Sequence, residues 1–173
     1  MIKDLVKYDD PILKNETEKF DFTEPQMDPV ELSRELAETM IFNNGIGLAA
    51  NQIGRPYSVF AMMAEKIIVC FNPKIVDMSL EKIYLDEGCL SYPGLDVKVQ
   101  RSKKIKVRYT EPSGEVVTKV FDGMTSRVFQ HELDHLEGTN FISRATGIHK
   151  TQALTKWKKV KRNDKKATFH TAV

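Results

Sequence analysis

The chain has 173 residues, of which 41% are hydrophobic and 29% are charged, and its formal net charge is +2. These values predict one globular domain with a buried core, and no apolar stretch approaches the roughly 18 residues that a membrane span needs. Two cysteines exclude a disulfide-rich scaffold, and the mixed sequence after Met1, which lacks the apolar core of a signal peptide, predicts a cytoplasmic protein.

The small net charge hides an uneven distribution along the chain. Residues 156–166 hold seven basic residues and one acidic residue, whereas the remainder holds 19 basic and 23 acidic residues. The basic character therefore belongs to the C-terminal tail, where it indicates either a solvated helix face or a surface that contacts an anionic partner.

The first predicted elements are an extended piece after the turn at residues 9–11 and a helix that begins at Asp28. An aspartate followed by a proline and, at the third helical position, by Glu31 is typical of a helix start. Apolar residues then recur at helical spacing, and the helix is expected to end near residues 43–45.

After Gly54 the pattern changes to short runs that are rich in β-branched and aromatic residues, which favour strands. Strands are predicted at residues 57–63, 66–71, 74–77, 80–85, 95–100, 103–110 and 115–121. Residues 111–114 form a turn signal, so residues 103–121 are predicted to form a β-hairpin. Two further helices are predicted at residues 125–137 and 150–162. The fold class is therefore α+β, a single domain of residues 1–173 in which antiparallel or mixed sheets pack around a central helix.

That central helix carries a His-Glu-x-x-His motif at residues 131–135. Because positions i and i+4 share one helical face, His131 and His135 can direct two imidazoles at one metal ion, with Glu132 beside it as a proton carrier. Catalytic sites of this kind usually need a third protein ligand and keep one position for water.

The usual third ligands for this motif are missing downstream. The metzincin position is occupied by Phe141, and no glutamate follows Glu137. Upstream, Cys89 lies in a glycine-bearing turn after a predicted strand and is the best candidate. Cys70, in contrast, lies within an apolar strand and is predicted to be a core residue.

A third segment, Gly-Ile-Gly-Leu-Ala-Ala-Asn-Gln at residues 45–52, combines small residues with an amide side chain. Such a segment permits a ligand backbone to approach closely, although a tight turn is the commoner explanation. It lacks the ending of a phosphate-binding loop and the spacing of a dinucleotide fingerprint.

Together, Gly-Ile-Gly-Leu-Ala-Ala-Asn-Gln, Glu-Gly-Cys-Leu-Ser and Gln-His-Glu-Leu-Asp-His resemble the three signature motifs of the peptide deformylases. The resemblance covers about residues 3–145 and extends to Tyr92-Pro93-Gly94, Arg101 and Arg127. It implies a hydrolase that removes the formyl group from the N-terminal formylmethionine of newly made proteins. It also implies a catalytic core over residues 3–145, followed by a C-terminal helix and basic tail over residues 150–173.

The resemblance further implies a role for each matching residue. The implied metal ligands are Cys89, His131 and His135, and the implied catalytic groups are Glu132 as base and acid, with the Gln52 amide and the Leu90 backbone N–H for the oxyanion. The implied substrate-binding residues are Gly45, Ile46, Gly47, Gly88 and Val128. The implied ion is Fe²⁺, with Zn²⁺, Ni²⁺ or Co²⁺ as substitutes in purified protein.

The resemblance implies a formylmethionyl nascent peptide as substrate and ribosome contact through the basic tail, and no membrane or DNA partner. A supporting ion pair between Glu87 and Arg101 is expected under the metal loop, and Asp134 is expected to serve packing or an outer contact. Two alternatives remain open from the residues: another His-Glu-x-x-His hydrolase such as a peptidase, and a non-catalytic, metal-stabilised binding module.

Overall fold

A computed structural model describes residues 1–169, with side chains to residue 162; residues 170–173 of the expected tail lie outside it. The described helices are α1 (Pro29–Phe42), α2 (Gly123–Leu136), α3 (Phe141–Arg144) and α4 (Gly147–Phe169). The described strands are β1 (Gly47–Ala49), β2 (Val59–Met63), β3 (Ile67–Met78), β4 (Lys82–Glu87), β5 (Val97–Ser102), β6 (Lys104–Thr110) and β7 (Val116–Asp122). None of the described helices has the length and apolar character that a membrane crossing demands.

The strands form two sheets. The larger has the order β1-β2-β3-β6-β7, the smaller pairs β4 with β5, and every ladder in both is antiparallel. The predicted hairpin is confirmed as β6 and β7, with Thr110 opposite Val116. The predicted α+β class, with antiparallel sheets in a single domain, is thus confirmed.

Some local expectations differ from the structure. The strands predicted at residues 66–71 and 74–77 are one strand, β3, which bends at Asn72, a residue with φ of 48°. The Asn72 side chain bonds both backbone groups of Phe20, which explains why this position tolerates an irregular conformation. The piece after Asp10 is a 3₁₀ turn, Pro11–Lys14, rather than extended, because the Asp10 carboxylate accepts a hydrogen bond from the Ile12 N–H at 3.0 Å.

The predicted helix at Asp28 is confirmed as α1. The Asp28 carboxylate accepts from the Val30 N–H at 2.9 Å, and Pro29 occupies the first turn, where its missing N–H is no loss. The apolar face of α1 is fully buried at Leu32, Leu36 and Met40 against one face of the larger sheet.

Helix α2 packs on the opposite face of that sheet. Alternate residues of β2 point to opposite sides, so Val59 joins the core under α1 while Phe60 joins the core under α2. Phe60 meets Phe129 of α2 with ring centroids 5.0 Å apart. On its other side α2 reaches the smaller sheet, where Arg127 donates to the Val99 carbonyl. The motif-bearing helix is therefore central, between the two sheets.

Candidate metal centre

Three side chains that could ligate a metal meet where β4 ends beside α2. Cys89 follows β4, and His131 and His135 lie one turn apart on α2 with ring centroids 5.2 Å apart. The Cys89 Sγ lies 3.2 Å from His135 Nε2, and one ligand atom from each of the three residues lies within 4.8 Å of the others. The structure thus brings together the three predicted ligands. Cys89 and His135, the two that lie farthest apart in the sequence, are separated by 46 residues.

The chemistry of these side chains fits a metal ion. Burial raises the pKa of the Cys89 thiol, but the neighbouring His135 and His131 outweigh burial and hold it well below its ordinary value. The thiolate is the form of cysteine that binds metals. Burial lowers the pKa of His131, yet hydrogen bonds with Cys89 and Glu87 raise it to about 10, so a metal ion has to displace a proton there. One thiolate and two imidazoles suit a borderline divalent ion and leave a coordination position free.

The Glu87 carboxylate fixes the orientation of His131. Its Oε2 lies 3.0 Å from His131 Nδ1, which places the proton on Nδ1 and leaves Nε2 for the cluster. The Arg101 guanidinium donates to both Glu87 oxygens, at 2.7 and 2.9 Å, and Arg127 donates to Oε1 as well. Although burial raises the pKa of Glu87, His131 and Arg101 outweigh it and bring it to about 2. The expected pair between Glu87 and Arg101 is confirmed.

The sequence interpretation gave Arg127 no part in this ion-pair network, although one signal was available. Arg127 precedes His131 by four residues on the same helix, so the two side chains share a face. The network continues through Asp134, which accepts from Arg101 at 2.8 Å and from Arg144 of α3 at 2.6 Å. Asp134 thus ties α2 to α3, in agreement with its expected outer contact.

Glu132 lines the cavity next to His131. It is 4% exposed, and its Oε2 has no hydrogen-bond partner among the described residues. Burial raises the pKa of Glu132 to about 7, with His131 and His135 acting in the opposite direction. A carboxyl group that titrates near neutral pH can both accept and donate a proton under physiological conditions. A Cβ at Gly47 would lie 2.7 Å from the Glu132 Cδ, so the absence of a side chain at Gly47 makes room for this carboxyl.

Gln52 and Leu90 both lie beside Cys89. The Gln52 Oε1 accepts from the Ala49 N–H at 2.8 Å, and its Nε2 donates to Ser91 Oγ at 2.9 Å and lies 3.4 Å from Cys89 Sγ. These contacts fix which end of the amide faces the cavity. Ser91 ends the Glu-Gly-Cys-Leu-Ser motif, but the sequence interpretation gave it no role. The Leu90 N–H has no hydrogen-bond partner within the described part of the chain.

A cavity of about 390 Å³ opens over this group. The five predicted substrate-binding residues all line it: Gly45, Ile46, Gly47, Gly88 and Val128. Met124, which the sequence interpretation did not include, lines it too and is 55% exposed. Strand β1 borders the cavity and, among the described strands, pairs with β2 alone, so its other edge can accept an extended peptide.

The sequence and the fold of this chain are similar to those of known proteins. The family model described as polypeptide deformylase matches residues 2–151. The peptide deformylase of Aquifex aeolicus is 40% identical over 172 residues, which cover 95% of this chain and 100% of that protein. A crystal structure of a peptide deformylase from Legionella pneumophila is similar with a TM-score of 0.83 at 27% identity, over 95% of this chain and 98% of that one.

A Met-Ala-Ser-bound crystal structure of the class I type b peptide deformylase from Acinetobacter baumannii is also similar. Its TM-score is 0.79 at 31% identity, over 83% of this chain and 98% of that chain. These findings do not favour the alternatives of another His-Glu-x-x-His hydrolase or a binding module. The chain belongs to the polypeptide deformylase family of metal-dependent enzymes, and it is a hydrolase that removes the formyl group from N-formylmethionyl nascent peptides.

Proposed function

We propose that this deformylase carries out its reaction at the cluster of Cys89, His131 and His135, which hold one divalent metal ion. The observation that carries the proposal is the meeting of the three ligand atoms within 4.8 Å beside a cavity that Glu132 also lines. A bound ion would supply Lewis-acid chemistry, withdrawing electrons from a carbonyl group and from a water molecule.

The physiological ion in this proposal is Fe²⁺, and the same ligands accept Zn²⁺, Ni²⁺ or Co²⁺. The likeness of the motifs to those of the deformylases favours iron. The three ligands support all four ions, because imidazole and thiolate groups bind many first-row divalent ions. Fe²⁺ is among the ions that such ligands bind less tightly. Ions that bind more tightly, such as Zn²⁺, are therefore expected to replace Fe²⁺ during purification. Metal analysis of protein purified without oxygen tests it: predominant iron supports the assignment, and predominant zinc contradicts it.

Glu132 is the proton carrier in this mechanism. Its carboxylate accepts a proton from the attacking water as the new C–O bond forms at the formyl carbon. It then donates that proton to the methionine nitrogen as the C–N bond breaks, so that the products are formate and a free amino terminus. The burial of this carboxyl in the cavity beside the cluster supports both roles.

The developing oxyanion of the formyl group is stabilised by two donors, the Gln52 Nε2 and the Leu90 backbone N–H. The position of both beside Cys89 supports these roles, and the contacts of Gln52 with Ala49 and Ser91 hold its amide ready. Loss of one such donor typically raises the barrier by about 2.7–4 kcal/mol.

The peptide lies along the cavity as an added strand. Backbone groups of Gly45, Gly47 and Gly88 pair with its main chain, and Ile46 with Val128 contacts the methionine side chain. The free edge of β1 supports this arrangement. So does the Acinetobacter relative, which holds a peptide that begins with methionine.

The test of this function is the Glu132→Gln variant on formyl-Met-Ala-Ser and on peptides with internal amide bonds. We expect the unmodified protein to release formate and to leave internal bonds intact. Glu132→Gln should lower kcat by about 100-fold or more, with unchanged metal content, because Glu132 is not a ligand. Glu137→Gln is the matched control: this glutamate follows α2 with a 53% exposed side chain, and its kcat should be normal. Normal turnover by Glu132→Gln would contradict the mechanism.

We further propose that α4 contacts ribosomal RNA, which would bring the enzyme to nascent chains in the cytoplasm. The seven basic residues among residues 156–166 support this, and Lys158 and Lys159 are exposed. The double variant Lys158→Glu with Lys159→Glu should lose co-sedimentation with ribosomes at low salt while hydrolysing formyl-Met-Ala-Ser normally. Undiminished co-sedimentation would exclude this surface.

A further inference from the structure

Helix α4 has one buried aromatic residue within its basic stretch. Lys156, Lys158 and Lys159 are exposed, whereas Trp157 is only 9% exposed. Trp157 packs in a cluster that includes Tyr92 and Phe141, with Cys89 at its border. The helix is therefore in contact with the loop that supplies the candidate thiolate.

Trp157 contacts that loop through both its aromatic ring and its indole N–H. Its Nε1–H donates to the Pro93 carbonyl at 3.0 Å, four residues after Cys89. Its ring centroid lies 6.3 Å from that of Tyr92 and 5.4 Å from that of Tyr8, edge-on to the latter. Lys161 Nζ lies 3.9 Å from the Trp157 centroid and 4.1 Å from the Tyr8 centroid, which closes the cluster from the solvent side.

The aromatic residues of this cluster lie next to two of the candidate ligands, Cys89 and His131. The Tyr92 N–H donates to the Cys89 carbonyl at 2.9 Å, which makes a tight turn of the loop. Phe141 lies between Tyr92 and His131, with ring centroids 5.7 and 5.4 Å away respectively. A displacement of Tyr92 would therefore disturb both the sulfur and one imidazole.

Contacts from several neighbouring elements hold this loop in place. Residues 88–96 connect β4 to β5 without regular secondary structure. On the cavity side, Gln52 donates to Ser91 Oγ. On the opposite side, the Trp157 bond to Pro93 is the contact that reaches the loop backbone from α4. Metal ligands must be held to within a few tenths of an ångström, which requires such outer contacts.

We propose that Trp157 is a positioning residue for the metal centre: α4 clamps the Cys89–Gly94 loop and so keeps the thiolate in place. The inference rests on the ligand role proposed for Cys89. It assigns to the C-terminal helix a part in holding the metal that is separate from any contact with RNA.

The experiment measures the rate at which zinc-loaded protein loses Zn²⁺ to excess chromogenic chelator. Trp157→Ala should lose zinc about 10-fold faster than the unmodified protein, in line with outer contacts of metal ligands. Trp157→Phe keeps most of the ring but not the donor to Pro93, and it should lie between the two. Gln152→Ala, at an exposed position on the same helix, should match the unmodified rate. If Trp157→Ala does not fold, Trp157→Phe decides, since its ring still fills the cluster.

A second readout uses the fact that Trp157 is the one tryptophan in the chain. Coupling between two sites is reciprocal, so zinc binding should shift the emission maximum of Trp157 in the unmodified protein, with no shift in Cys89→Ser. Zn²⁺ is chosen because its filled d shell does not itself quench emission.

The outcomes separate the two proposals. If the unmodified protein retains no zinc, the ligand assignment fails. If it retains zinc, but both Trp157 variants release it at the unmodified rate and the emission is unchanged by zinc, the positioning role of Trp157 is wrong while the ligand assignment stands.

Discussion

At the scale of single residues, the Glu132 carboxyl lies directly beside Gly47 of β1. Gly47 approaches the carboxyl so closely that an added Cβ would lie 2.7 Å from Cδ. The absence of a side chain at Gly47 thus leaves room for the Glu132 carboxyl.

Gly47→Ala should therefore displace Glu132 and lower kcat by about 10-fold or more, since a small misplacement of a catalytic group is costly. Metal content should stay normal, because Gly47 is not itself a candidate ligand. Gly147→Ala is the control: nothing lies within 4 Å of a Cβ there, and its kcat should be unchanged. A fully active Gly47→Ala enzyme would show that Glu132 moves without loss of function.

Sequence reasoning reached the residues whose spacing or motif has chemical meaning. The i, i+4 pair of His131 and His135 follows from helical geometry, and Cys89 followed from excluding the other third ligands. The contacts of Ser91 and Arg127 were not predicted, because they depend on how β4, β5 and the 3₁₀ turn at Ala50–Ile53 pack together. No local pattern encodes that packing.

At the scale of elements, an ion-pair cluster fastens the N-terminal segment to α1. Glu35 of α1 is 3% exposed and accepts from Lys3 Nζ at 2.9 Å and from Arg55 Nη2 at 3.1 Å. Burial raises the pKa of Glu35, but the hydrogen bonds from Lys3 and Arg55 outweigh it, so the pKa lies below its ordinary value of 4.5.

This shift predicts a pH dependence of stability. A carboxyl whose pKa is lower in the folded state stabilises the fold above its unfolded pKa of 4.5, and that contribution disappears as pH falls through the folded value. The free energy of unfolding should therefore decrease below about pH 4.5. Glu35→Gln should lower it by about 1–3 kcal/mol at pH 7 and by less at pH 3, as measured by urea titration. An equal loss at both pH values would contradict the assignment.

The boundaries of elements were predicted where the local pattern is strong. The cap at Asp28 and the alternation along β6 and β7 sufficed for α1 and the hairpin. Strand β1 was missed because its three residues, two of them Gly47 and Ala49, have little strand preference, and only pairing with β2 makes it a strand. Helix α4 begins at Gly147 rather than near residue 150, since helix ends carry weaker signals than interiors.

At the scale of the whole molecule, α2 lies between the larger sheet and the β4–β5 pair. This placement lets one helix face the core with Phe129, the cavity with Glu132, and the buried ion pairs with Asp134. The α+β class was predictable from the sequence of patterns. The strand order was not, because it depends on long-range pairing such as β3 with β6.

A group of buried charged side chains lies where α2 packs against β4 and β5. Glu87, Arg101, Arg127 and Asp134 are each at most 6% exposed and pair with one another. Removal of one partner from such a group leaves an uncompensated buried charge, whereas the complete group holds α2 at a fixed rotation against β5. That rotation is what points both imidazoles at the Cys89 loop.

The central claim, that Cys89 and the two histidines hold the metal, is tested most directly by X-ray absorption at the zinc edge of zinc-loaded protein. One sulfur neighbour at about 2.3 Å is expected beside nitrogen neighbours. The sulfur signal should vanish in Cys89→Ser and persist in Cys70→Ala, since Cys70 is fully buried in the core beneath α2. A spectrum of the unmodified protein without sulfur, or one whose sulfur signal survives in Cys89→Ser, would contradict the account.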